Sequence, residues 1–359
     1  MHDILLYALP IFVACMAGEW AWGHWRGRNN YRLADTLSSL SQGLLSQATA
    51  IVTPLIQTGF YAALHARFAL LSARHWHGVV GGVLAVVLYD LCDYWLHRTS
   101  HESALFWAAH AVHHQSEHFN LSTALRQESL YGVMGWPFFI PMALLGVPTD
   151  LYVLAGIVVL FYQFWIHTEH IGRLGWLDRV FSTPSNHRVH HAVNPAYLDR
   201  NYGAIFVVWD RLFGSFAEER ELCVYGTVKP LASWNPLWGV GQFYAELWRR
   251  MRATPRWADK LRVLYKSPGW MPPGAALPGT SPEARLALPR FDPPAPRGAR
   301  VAAVLLFLLM AAGCGAWLYV ADDLGSAANL GAATMLAAGL WGVGVLLSWP
   351  VRGRATNSA

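Results

Sequence analysis

The chain has 359 residues, of which 54% are hydrophobic and only 14% charged, with a formal net charge of +5. A soluble domain carries nearer a quarter of charged residues, so this composition excludes an ordinary soluble protein. The basic residues are spread along the chain and not gathered on one soluble face, which excludes a nucleic-acid-binding protein.

The apolar excess lies in long runs, and a run of about 18 residues is enough to cross the hydrocarbon core. In chain order, seven runs reach or approach that length: Ile4 to Trp22, Leu40 to Leu64, Val79 to Leu96, Leu130 to Val147, Leu151 to Ile166, Val301 to Val320 and Leu330 to Trp349. The second is interrupted by Gln42, Gln47, Thr53, Pro54 and Gln57, and the fourth and fifth are short enough for a re-entrant hairpin. Aromatic residues such as Trp20, Trp22, Trp25, Tyr94 and Trp95 crowd the run ends, where amphipathic rings favour the headgroup layer. With seven crossings and the amino terminus outside, only Arg67 and Arg74 of the 27 Lys and Arg residues fall outside. Lys and Arg favour the cytoplasmic side. The expected fold is therefore all-α: a multi-pass integral membrane protein of about seven helices, of the bacterial inner-membrane kind. The opening Met-His-Asp lacks the Lys or Arg of a signal peptide, so a retained first helix is expected. Cys15, Cys92, Cys223 and Cys314 are scattered without a C-x-x-C, which points to reduced thiols and away from a disulfide framework.

Four parts follow along the chain: amino-terminal membrane helices over 1–78, a catalytic unit over 79–265, a Pro/Gly-rich cytoplasmic linker over 266–300, and a carboxy-terminal membrane hairpin over 301–359. The linker composition reads as a segment without a core.

Eleven of the sixteen histidines fall in four groups: His97 and His101; His110, His113, His114 and His118; His167 and His170; His187, His190 and His191. Spacings of three and four place side chains on one helical face, so each group presents imidazoles in one direction. His97 and His101 follow the third run and His167 ends the fifth at the expected cytoplasmic face, and the second and fourth groups lie in cytoplasmic segments, so all four can meet at one membrane face. Residues 183–193 read as a short helix with Thr183 as N-cap and Pro184 at the first position.

Imidazole suits Zn, Cu, Fe and Ni. One zinc takes about four ligands, and this chain offers eight or more imidazoles, so two metals are expected. There is no H-E-x-x-H helix of the zinc hydrolase kind and no Glu-x-x-His pair of the soluble di-iron bundles. An all-imidazole pair of irons leaves positive charge and open positions, suited to activating O2 and oxidising a C–H bond. Asp90 and Asp93 precede His97 on one helical face, and intramembrane carboxylates are functional candidates. They are expected to accept the second ring N–H of a ligand histidine. Glu169 and Asn186 flank ligand groups and are expected to serve similarly. Glu19 is expected at the interface, and His24, His65, His75 and His77 are expected to be structural.

The segments DYWLHRTSHE, HAVHHQSEHFNLSTALRQ, FWIHTEH, TPSNHRVHHAVNP, DRNYG and WDRLFGSF together resemble the fatty acid hydroxylase/sterol desaturase superfamily over about residues 80 to 220, most closely its alkylglycerol monooxygenase branch. The resemblance implies ligation by His97, His101, His110, His113, His114, His167, His187, His190 and His191. His118 and His170 fall outside the implied set, as supporting or surface residues. Glu102, directly after His101, belongs to the pattern of that branch. The implied activity is oxygen-dependent hydroxylation of a lipid alkyl chain by two irons per chain, with ether-lipid cleavage as its alkylglycerol form. Fatty-acyl, sterol or carotenoid hydroxylation or desaturation is the alternative. The implied reductant is external, tetrahydrobiopterin or a separate electron donor, since the chain carries no flavin, nicotinamide or haem fingerprint. A metal-binding transporter or sensor is the non-enzymatic alternative, which would place ligands near the bilayer midplane on broken helices.

Overall fold

The computed structural model describes residues 2–53, 55–273 and 281–349. Residues 274–280 of the expected linker and 350–359 of the expected hairpin lie outside the described residues. The architecture is all-helical, with two isolated bridges, Phe181 to Phe206 and Ala192 to Tyr225. In order, the α-helices are α1 (His2–Trp25), α2 (Leu33–Val52), α3 (Phe60–Phe68), α4 (Gly78–Glu102), α5 (Ala104–His114), α6 (Leu121–Ala124), α7 (Tyr131–Gly135) and α8 (Ile140–Leu144). They continue with α9 (Thr149–Trp165), α10 (Pro184–His190), α11 (Val208–Phe213), α12 (Pro236–Ala253), α13 (Trp257–Tyr265), α14 (Pro282–Leu286), α15 (Arg297–Val320) and α16 (Ser326–Leu347).

Among the described residues, three helices are long and apolar enough to cross a membrane: α4, α15 with its extension to Asp323, and α16. Prolines divide two of the other runs. The run from Leu40 ends as α2 at Val52, just before Pro54, and continues as a π-turn and then α3. The run from Leu130 is split by a 3-10 turn at Trp136–Phe139, with Pro137 and Pro141 at its two boundaries. A proline has no N–H to donate to the turn before it, so neither run forms one straight span. Tyr131–Leu144 and α9 remain shorter apolar segments.

Helix α4 buries Gly81, Ala85, Cys92 and Leu96, a stripe at three- and four-residue spacing. That stripe packs on Tyr61, Phe139, Met142, Val147 and Tyr152. Ser103 alone separates α4 from α5, and its extended backbone turns the chain directly into the next helix. This corner brings His97 and His101 opposite His110, His113 and His114. Helices α15 and α16 pack on α2 through Leu37, Leu45, Leu340 and Leu347. A side chain at Gly339 would collide with Met310, and such close approach of small residues is how membrane helices associate.

Glu19 is buried within the protein: it accepts hydrogen bonds from Tyr31, Thr168 and the Leu121 N–H, tying α1 to the histidine-bearing unit. The expected linker is anchored at points between Arg285 and Phe291, while most of its side chains over 281–300 are exposed or half-buried. Arg285 is 1% exposed and pairs with Glu117 at 2.7 Å, while the Phe291 N–H donates to the other Glu117 oxygen at 2.6 Å. A buried cation needs a partner of opposite charge, and Glu117 supplies one that composition alone did not reveal.

Candidate metal centre

Nine buried imidazoles meet in two groups. The first holds His97 and His101 from the end of α4, His110 and His114 from α5, and His190 from α10. The second holds His113 from α5, His167 after α9, and His187 and His191 from α10 and its end. Within each group one ligand atom per residue lies within 4.8 Å of every other. The groups adjoin: His114 and His191 stack at 4.4 Å between ring centroids. Successive helical residues are turned about 100° apart, so His113 and His114 serve different groups, as do His190 and His191.

The rings are aimed by their second nitrogens. His97 Nδ1 contacts the Tyr202 carbonyl at 2.8 Å, His113 the Arg126 carbonyl at 3.0 Å, His167 the Gln163 carbonyl at 2.7 Å and His190 the Arg200 carbonyl at 3.0 Å. A carbonyl only accepts, so each of these Nδ1 atoms carries the hydrogen and each Nε2 is a bare lone pair. Two such lone pairs face each other at 3.2 Å between His113 and His167. Protonation is a poor remedy: burial pulls His113 down to about 4, and it likewise holds His110, His114, His167, His187, His190 and His191 well below the usual imidazole range, with neighbouring imidazoles adding to the fall. The Nε2 atoms of His101 and His190 are buried without a protein partner. A donor set of inward lone pairs with outward N–H groups fits a soft-to-borderline metal cation in each group.

Two carboxylates also reach rings. Glu128 meets His110 Nδ1 at 2.6 Å, and Asp199 meets His101 Nδ1 at 3.4 Å. Burial pushes the Glu128 carboxyl up to about 8, and the charge of nearby Asp93 adds to that rise. Sequence reasoning missed both residues; the available signal was that Asp199 opens the DRNYG segment and Glu128 directly follows the segment ending in ALRQ. Asp199 and Asn201 adopt positive φ of 57°, a conformation rare outside glycine. The turn they make directs the Arg200 and Tyr202 carbonyls at His190 and His97.

The expected supporting residues lie elsewhere. Asp90 accepts from the Ile205 and Phe206 N–H groups and the Trp209 indole at 2.7, 3.1 and 2.8 Å. It sits two helical turns before His97, about 10 Å along the axis, and anchors the loop that supplies the Tyr202 carbonyl. Asn186 donates to the Asp178 and Phe181 carbonyls. Glu102 is half-exposed and pairs with Arg98 at 2.9 Å. His118 lies outside both groups, buried against Arg290, and His170 also lies outside them, against Gly23. Thr183 holds the N-cap position of α10, yet its hydroxyl donates to Asp178. Aromatic walls close the site. Phe119 packs 5.1 Å from His191 and 5.5 Å from His167, with Tyr225 stacked behind it, and Trp107 lies 5.1 Å from His101.

The fatty acid hydroxylase family model matches residues 82–215, the stretch that carries all nine rings. Alkylglycerol monooxygenase of Xenopus tropicalis is 34% identical over 309 residues, 86% of this chain and 68% of that protein. The Danio rerio protein of that name is 38% identical over 242 residues, 67% of this chain and 54% of its own length, and the Homo sapiens one 37% over 277 residues, 75% and 60%. The chain thus spans from about half to two thirds of the curated relatives it matches. No solved structure matches it. With similarity running through and beyond the histidine-bearing stretch, the chain belongs to the fatty acid hydroxylase family.

Proposed function

We propose that the chain is a membrane monooxygenase that holds two irons in its imidazole groups and hydroxylates a C–H bond of a lipid alkyl chain. The opposed, unprotonated Nε2 atoms of His113 and His167, inside one of two adjoining buried imidazole groups, carry this reading, supported by the relatives named alkylglycerol monooxygenase. Bound iron supplies the activation of O2 and the oxidation of the C–H bond. The overall reaction inserts one oxygen atom into that bond and reduces the other to water, with two electrons and two protons from an external reductant such as tetrahydrobiopterin or a separate donor protein.

The chain's own residues prepare the site. Backbone carbonyls of Tyr202, Arg126, Gln163 and Arg200 and the carboxylates of Glu128 and Asp199 hold the rings in one tautomer. Phe119, Tyr225 and Trp107 exclude water. On this reading Asp93 acts from outside the cage through Glu128, Asn186 through the loop before α10, and Glu102 from the solvent side of His101. The lipid enters sideways from the bilayer, and the four histidine segments face the cytoplasm in a seven-crossing topology. If the substrate is an ether lipid, hydroxylation beside the ether oxygen gives a hemiacetal that collapses to an aldehyde and a glycerol.

Metal analysis of protein from iron-replete cells should give about two irons per chain, since the rings outnumber one metal's positions. Product analysis with an ether lipid against an esterified chain then decides between ether cleavage and the fatty-acyl, sterol or carotenoid alternative. A stoichiometry fixed at one metal would remove the di-iron reading.

A further inference from the structure

We propose that α12 and α13 form a platform that lies on an anionic lipid surface, at headgroup depth, beside the helix that carries His110, His113 and His114. The case begins with α13. Trp257, Leu261 and Tyr265 recur every four residues and so share one face, and that face is 78%, 59% and 58% exposed. Trp248 on α12 is 63% exposed as well. The opposite faces are accounted for: Leu247 and Val263 pack with Ala104 and Ala108 of α5.

Charge matches an anionic partner. Residues 236–266 hold seven Lys and Arg against two acids. Both acids are already paired, Glu246 with Lys229 and Arg249, and Asp259 with Arg262. Arg250 turns inward to the Pro268 and Trp270 carbonyls. Arg252, Arg256, Lys260 and Lys266 have no carboxylate partner among the described residues. Lys260 lies 5.2 Å from the Trp257 ring and Lys266 5.9 Å from the Tyr265 ring, so cations and aromatics alternate on one surface. Protein interfaces deplete lysine, whereas helices lying in the bilayer interface combine Trp and Leu with Lys and Arg.

Depth follows from two hydrogen bonds. The Ala104 N–H donates to the Lys266 carbonyl at 2.8 Å, and the Ser103 hydroxyl to the Leu264 carbonyl at 3.2 Å. Ser103 is the residue at which the α4 span ends. The carboxyl end of α13 is therefore fastened to the point where the chain leaves the membrane, and its exposed face meets the headgroup layer.

The test uses full-length, metal-loaded protein in nanodiscs. Trp257→Cys and Leu261→Cys, each in a background with Cys15 and Cys223 changed to serine, are spin-labelled, with Arg220→Cys as a solvent reference. Power saturation should show both platform labels more accessible to O2 than to a water-soluble nickel chelate, and more so in discs containing phosphatidylglycerol than in phosphatidylcholine alone. Arg256→Gln and Lys260→Gln should each weaken that anionic preference roughly five-fold, the equivalent of about 1 kcal/mol per cation near the surface. Chelate access equal to the Arg220 reference would overturn the proposal. So would protection that persists in detergent with dipolar broadening between labels, which would place a second copy of the chain on this face. Neither readout depends on turnover or on the identity of the oxidised bond.

Discussion

Group one gathers five rings and group two four, and the structures behind them differ as much as the counts. Behind group one stand two carboxylates, the nearly buried Glu128 and the half-exposed Asp199. Behind group two the contacts to His113 and His167 are backbone carbonyls, and His187 Nδ1 has no partner. Group two is also the better sealed, since Phe119 and Tyr225 cover it and Arg285 donates to the Tyr225 carbonyl at 3.2 Å. A carboxylate on the outer nitrogen raises the basicity of a ligating ring. A metal in group one would therefore have acid side chains behind two of its rings, and one in group two a drier setting backed by backbone carbonyls.

Ring removal tests this asymmetry most severely. His113→Ala leaves group two with three imidazoles and should lose one iron per chain together with all activity. His101→Ala leaves group one with four and should retain more metal; iron content and lipid oxidation on the same preparations would show it. Equal metal loss in the two variants would mean that the fifth ring of group one is no reserve.

The seal on group two comes next. Arg285→Ala strands Glu117, and breaking a buried pair costs about 3–5 kcal/mol. Unfolding in a denaturant series should show that loss, and metal should leave group two before group one. Metal leaving both groups together would show that the strap over 281–292 supports the whole cage.

A smaller change is expected from Glu128→Gln. The amide still meets His110 but no longer carries charge, so metal affinity or turnover should fall about 10- to 100-fold while the fold persists. No change would mean that burial already keeps Glu128 neutral, in line with its rise to about 8. Smallest of all is Glu102→Gln, which removes an exposed i,i+4 pair with Arg98 worth about 0.3–0.5 kcal/mol. Metal content should be unchanged. A large loss of turnover with both irons bound would give Glu102 the part at the site that the family resemblance implies.

The histidine spacing itself made the candidate site legible: three- and four-residue intervals at the ends of apolar helices converge on one surface because helical geometry is local. The same locality made α4, α10 and the carboxy-terminal hairpin readable. What supports the rings was not readable in that way. Asp90 and Asp93 looked like ring partners because they share a face with His97, but the carbonyl of Tyr202, 105 residues later, takes the His97 Nδ1. Glu128 and Asp199 gave no periodic signal, since each reaches its histidine from a loop. Likewise the Pro/Gly composition of 266–300 indicated a free linker, and only the distant Glu117 could show that Arg285 is buried.

Sequence alone determined that this chain is helical, membrane-bound and rich in clustered imidazoles, because hydrophobic runs and i,i+4 spacing act over a few residues. The tertiary structure decided how His113 and His114, neighbours in the chain, are divided between two groups, which nitrogen of the carbonyl-held rings is bare, and which loops hold the rings in place. Those are contacts between segments tens of residues apart, set by packing around the corner at Ser103 and not by any local preference of the residues themselves.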